Sequence, residues 1–103
     1  MIFIETTFFT KYLPSYLTDD EYSELQDFLM QKPDAGALIK GTGGLRKLRW
    51  PSDNKGKRGG VRIIYYWQTK LDQFYMMTIY GKNEMSDLSS DDKKELKKIL
   101  ARW

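Results

Sequence analysis

Two runs of β-branched and aromatic residues, Val61–Trp67 and Phe74–Tyr80, stand six residues apart and constrain this chain more than any other feature. Such side chains fit a pleated, half-buried surface, and a short connection between two such runs closes an antiparallel hairpin. Alternation within the first run puts Arg62 on one face with Ile64 and Tyr66, and Val61, Ile63, Tyr65 and Trp67 on the other. The run is entered through Gly56-Lys57-Arg58-Gly59-Gly60, so a basic, glycine-rich loop lies at the mouth of a sheet. An arginine fixed on a strand is a better-placed charge than one on a mobile tail. The segment therefore reads as a site for an anionic ligand, RNA phosphate first among them.

The flanking chain extends the same pattern. Leu45–Trp50 is a second strand in which Lys47 and Arg49 face one way and Leu48 and Trp50 the other. Gly41-Thr42-Gly43-Gly44 precedes it, but with neither a Gly-Lys-Ser/Thr continuation nor a following helix it is a weak phosphate loop. Pro51 to Gly60 is a long polar connection, of a kind able to close on a ligand. Ile2-Phe3-Ile4 reads as a short first strand, and Phe8-Phe9 with Tyr12-Leu13 as a brief helix that Pro14 interrupts. Thr18 and Glu21 form a capping box for a helix carrying Tyr22, Leu25, Phe28 and Leu29 at helical spacing, closed by Pro33. Ser89 or Ser90 starts a last helix, with Leu96, Ile99, Leu100 and Trp103 as its apolar stripe. The expected fold is α+β: one domain over residues 1–103, with an N-terminal strand and helices, a three-stranded antiparallel meander and a C-terminal helix.

Charge is distributed unevenly. Between Lys40 and Arg62 there are eight cations against the single acid Asp53, so this segment carries +7 while the whole chain carries +3, leaving −4 for the rest. That asymmetry suits a polyanion-binding surface, because each Lys or Arg near a phosphate releases condensed counterions. The absence of cysteine excludes disulfides and thiolate chemistry, and the absence of histidine removes the commonest general base and metal ligand. Any enzyme chemistry here falls to Lys, Tyr, Asp, Glu or electrostatics, with no metal and no cofactor expected. No apolar run is long enough to cross a bilayer and the N-terminus lacks a basic, cleavable leader, so the expected location is the cytoplasm, away from membranes.

Three blocks, Gly43-Gly44-Leu45-Arg46-Lys47-Leu48-Arg49, Gly56-Lys57-Arg58-Gly59-Gly60 with Arg62-Ile63-Ile64-Tyr65-Tyr66, and Tyr80-Gly81-Lys82-Asn83-Glu84-Met85-Ser86-Asp87-Leu88, resemble the RelE superfamily of bacterial type II toxins, and within it the HigB branch. The resemblance spans nearly the whole chain. It implies an endoribonuclease that enters the ribosomal A site, cuts mRNA there and is held inactive by a cognate antitoxin. The antitoxin of this branch would be of the helix-turn-helix, HigA type, and the toxin would meet operator DNA only through that complex.

Carried over by position, the resemblance makes Arg62 the phosphate-contacting arginine, puts Lys47 and Arg49 among the basic residues of the second strand, and gives Lys57 and Arg58 to the loop typical of the branch. Asn83 stands where the best-studied members have an arginine. The expected catalytic set is Lys57, Arg62 and Lys82; the expected RNA-binding set is Arg46, Lys47, Arg49, Arg58, Tyr65 and Asn83. Cleavage by the RNA's own 2′-hydroxyl needs a base, cations around the phosphorane and an acid for the departing 5′-oxygen. Crowded cations lower a lysine's pKa, so Lys47, Lys57 or Lys82 could carry the proton. Tyr65 or Tyr66 could stack on a splayed base, since only one sheet face is expected to pack on helices. Two other readings remain open: a gyrase poison of the same fold, as in the ParE branch, and a non-catalytic RNA- or ribosome-binding module.

Overall fold

A computed structural model of the chain describes residues 2–51, 60–82, 84 and 87–103. The hairpin forms from β4 (Val61–Gln68) and β5 (Gln73–Gly81), with Gln68 opposite Gln73. Asp72 takes a left-handed conformation in the turn, φ 53°, which Asp tolerates better than most side chains. The register shifts between Ile64 and Tyr65, leaving Met77 as an extra residue on β5.

β3 (Arg46–Trp50) pairs antiparallel with β4, completing the expected meander. The sheet goes further than expected at both edges. β1 (Ile2–Glu5) lies parallel to β5, and β2 (Ala37–Leu38) adds a two-residue antiparallel edge to β3, giving the order β1-β5-β4-β3-β2. Gly60 makes the sharp entry to β4 possible: its φ is +71° and a Cβ there would overlap the carbonyl oxygen of Trp50.

Helix α1 (Thr7–Tyr12) is capped by Thr6, whose hydroxyl accepts from the Phe9 N–H and donates to the Met77 carbonyl at 2.6 Å. One buried side chain thus ties the end of β1 to the irregular position on β5. Helix α2 (Asp19–Gln31) has the capping box of Thr18 and Glu21, and α3 (Ser90–Ala101) has a second one, of Ser89 and Asp92.

Both faces of the sheet are covered, which corrects the expectation of a single packed face. On one face Phe9, Leu25 and Leu29 from the helices meet Leu48, Val61, Ile63, Tyr65, Phe74, Met76 and Ile79. On the other, Leu88 and Leu96 from the α3 region meet Leu45, Ile64, Tyr75, Met77 and Tyr80. The apolar stripe of α3 buries Ile64, a residue of the same row as Arg62.

Candidate functional site

The charged row is set by pleating and by the β3–β4 register. Because side chains alternate along β3 and β4, Lys47 and Arg49 come to the face that carries Arg62, Ile64 and Tyr66. Lys47 is the cross-strand partner of Ile64, and Arg49 that of Arg62. Like charges directly opposite one another weaken a ladder unless other groups answer them. Arg62 is only 5% exposed, and its Nη1 donates to the Val61 carbonyl at 3.3 Å. Burial within the sheet end holds the guanidinium close to one orientation, which suits a fork-shaped donor for phosphate oxygens.

Acidic and aromatic neighbours complete the site, and they were not among the residues singled out from sequence. Asp87, in the segment leading to α3, accepts from Lys47 Nζ at 3.4 Å and from the Leu88 N–H at 2.8 Å. That backbone donor, and then Lys47, hold its carboxyl below the usual range. Lys47 is therefore answered by a carboxylate with which an incoming phosphate must compete. Tyr80 is the β5 partner of Arg62, 5% exposed, with no hydrogen-bond partner for its hydroxyl among the described residues. Burial, then the charge of Asp87, pushes the phenol up from its ordinary value, with Arg62 pulling the other way. Tyr80 is a protonated donor beside a buried arginine. Only the proximity of a strand's even-numbered residues to a distant Asp could have revealed these two, and that proximity is tertiary.

Lys82 follows β5, exposed, with its N–H donating to the Gly60 carbonyl at 3.3 Å, so its backbone is anchored at the same end of the sheet as Arg62. Lys57, Arg58 and Asn83 lie outside the described residues.

Two expected RNA contacts belong elsewhere. Arg46 pairs with Tyr65, on the opposite face from Lys47, and its Nη1 donates to the carbonyls of Gly36 at 2.8 Å and Asp34 at 3.2 Å. It braces the turn after α2. Tyr65 is fully buried, its hydroxyl donating to the Pro33 carbonyl at 2.8 Å and accepting from the Gly36 N–H at 2.9 Å. A ring walled in by Leu25, Leu29 and Phe74 has no face to offer a base. The same alternation that gathered Lys47 and Arg49 sends Arg46 and Tyr65 into the helix-covered core. Tyr66, by contrast, is half-buried on the charged face and stacks on Tyr75, ring centres 5.8 Å apart.

A concavity of about 450 Å³ lies apart from the charged row, between α1 and α3, and has Tyr80 in its wall. The charged row itself brings exposed Arg49 and half-buried Lys47 to the face of buried Arg62, whose β5 partner is Tyr80.

The sequence matches, over residues 5–103, the family described as the RelE toxin of the RelE / RelB toxin-antitoxin system. Among solved structures, a mutant of the E. coli toxin RelE in the free state has a similar fold, with a TM-score of 0.56 at 11% sequence identity, covering 82% of this chain and 86% of that one.

Proposed function

This chain belongs to the RelE toxin family, and on that footing we propose that it is a ribosome-dependent endoribonuclease of the HigB branch, which enters the A site and cuts mRNA there. Its family makes it a toxin of a toxin-antitoxin system; a helix-turn-helix antitoxin of HigA type is the proposed restraint, with operator DNA reached only through that complex.

The observation that carries the reading is the opposed pair Arg49–Arg62 with Lys47 beside it. Cations gathered on one face of the sheet favour a phosphate ligand, and Arg49 is exposed to meet it. In the proposed reaction the 2′-oxygen of one nucleotide attacks the adjacent phosphorus, losing its proton to a base. The bond to the 5′-oxygen breaks, that oxygen takes up a proton, and a 2′,3′-cyclic phosphate remains. Arg62 and Arg49 would hold the phosphorane oxygens, which bear most of the developing charge. Lys47 would bind a neighbouring phosphate once Asp87 releases it. Lys57 and Lys82 are the proposed proton carriers, and Tyr80 supplies a protonated hydroxyl within the cluster.

Primer extension on mRNA in a translating extract, with and without ribosomes, tests this for the wild type and Arg62→Ala. Ribosome-dependent cuts that vanish in the variant are the expected result. Inhibited translation without cuts would instead make the chain a docking module, and broken DNA without an effect on translation would make it a gyrase poison.

A further inference from the structure

A second concave feature lies at the far end of the charged row. Tyr66 and Gln68 continue the face of Arg62 and Ile64 along β4, and with Tyr75, Trp103, Lys97 and Gly43 they line a cleft of about 280 Å³. Its aromatic groups pack on one another. Tyr66 and Tyr75 are cross-strand partners, stacked at 5.8 Å with 25° between planes, and Trp103 meets Tyr75 edge-on at 4.1 Å. Gly44, at φ +117°, lets the preceding loop close on Tyr66: a Cβ there would lie 2.9 Å from the ring. Gly43, at φ +80°, has nothing within 4 Å of where its Cβ would be, so that wall of the cleft is left open. Trp103 packs on Tyr75 yet remains 46% exposed.

From this we infer that the cleft is a nucleobase subsite, receiving one unpaired base of the RNA whose scissile phosphate lies at Arg62; the inference rests on the RNA reading above. Three features select a base over another apolar occupant. The walls are aromatic, and every base has a π-face to stack on them. Gln68 Oε1 accepts from the Lys70 N–H at 3.3 Å, which leaves its amide N–H groups as donors for a base edge. The rim carries a cation, Lys97, suited to the phosphate or to a carbonyl-rich base edge. The volume is small for a drug-sized ligand and adequate for a single flat heterocycle. Position agrees: four strand residues separate Arg62 from Tyr66, about 13 Å, and because α3 covers Ile64 between them the RNA would pass on the β3 side, by exposed Arg49 and half-buried Lys47. The subsite would thus add base preference to a grip that reads only phosphate.

Single-turnover cleavage on ribosomes programmed with an mRNA carrying one abasic residue, moved through successive positions around the cut, tests the inference. For the wild type, one position is expected to lose rate about tenfold when its base is removed. Trp103→Leu and Lys97→Gln, at exposed positions, and Tyr66→Leu should lose a similar factor on intact mRNA and little further on the mRNA abasic at that position. Trp103→Leu stands in should Tyr66→Leu fold poorly. Equal losses on intact and abasic mRNA, or none, would overturn the subsite while leaving the nuclease reading in place. A wild type that cuts no programmed mRNA would overturn both.

Discussion

Arg49 and Arg62 face each other as cross-strand partners at one end of the β3–β4 ladder, one exposed and the other 5% exposed. Like charges on directly opposed residues disfavour a ladder, and the effect of removing one is measurable without any ligand. Arg49→Gln is expected to raise stability to urea by about 0.5 kcal/mol while lowering mRNA cleavage. If the variant were less stable than the wild type, the pair would be part of the fold's own support and the argument from repulsion would fail.

Asp87 restrains Lys47. Replacing it with Asn removes a carboxylate that competes with phosphate, so Asp87→Asn should bind single-stranded RNA more tightly, with a salt slope steeper by about 0.7, one additional phosphate contact. A second signature lies in the pH dependence. Asp87 has its carboxyl lowered in the fold, so the stability it contributes is whole above the ordinary carboxylate range and is lost as pH falls through the lowered value. Urea unfolding followed into acid should show that component in the wild type and not in Asp87→Asn.

Tyr80 separates chemistry from stability. Its buried hydroxyl lacks a partner among the described residues, and leaving a polar group so costs about 1–3 kcal/mol. Tyr80→Phe should therefore be as stable as the wild type or more so, yet cleave more slowly, because the phenol beside Arg62 is gone. A stable variant with undiminished cleavage would remove Tyr80 from the reaction.

Tyr65 makes the opposite case. Tyr65→Phe deletes the bonds to Pro33 and Gly36 and should cost about 1–3 kcal/mol in thermal or urea unfolding. Cleavage per folded molecule should be unchanged. A selective loss of RNA affinity in a stable Tyr65→Phe protein would return this residue to the interface.

Tyr22 offers a test at the alkaline end. Its hydroxyl donates to Glu5 Oε2 at 2.9 Å, and burial, then this carboxylate, raise its pKa well above the ordinary value. A raised value means that the stabilisation is complete below the ordinary tyrosine range and is lost as pH rises toward the folded value. Stability measured upward from pH 9 should fall more steeply in the wild type than in Tyr22→Phe.

Much of this was legible along the chain. Alternation put Lys47 with Arg49 on one side of their strand and Arg62 with Ile64 and Tyr66 on one side of theirs, and Thr18 with Glu21 marked the start of α2 to the residue, because pleating and capping depend on near neighbours alone; that the two sides coincide came from the β3–β4 register. The parallel pairing of β1 with β5 was not legible, since parallel strands meet only after a long excursion of the chain and leave no turn signature. Nor was the fate of Arg46 and Tyr65. Parity assigned them to a face, but only the helices arriving from residues 19–31 decided that this face would be closed to solvent. In the same way Asp87 and Tyr80 joined the site because α3 folds back over β4 and β5. The sequence by itself determined which residues share a side of each strand; the tertiary structure decided which shared sides are core and which are site, because burial belongs to what covers a surface and not to the surface's own pattern.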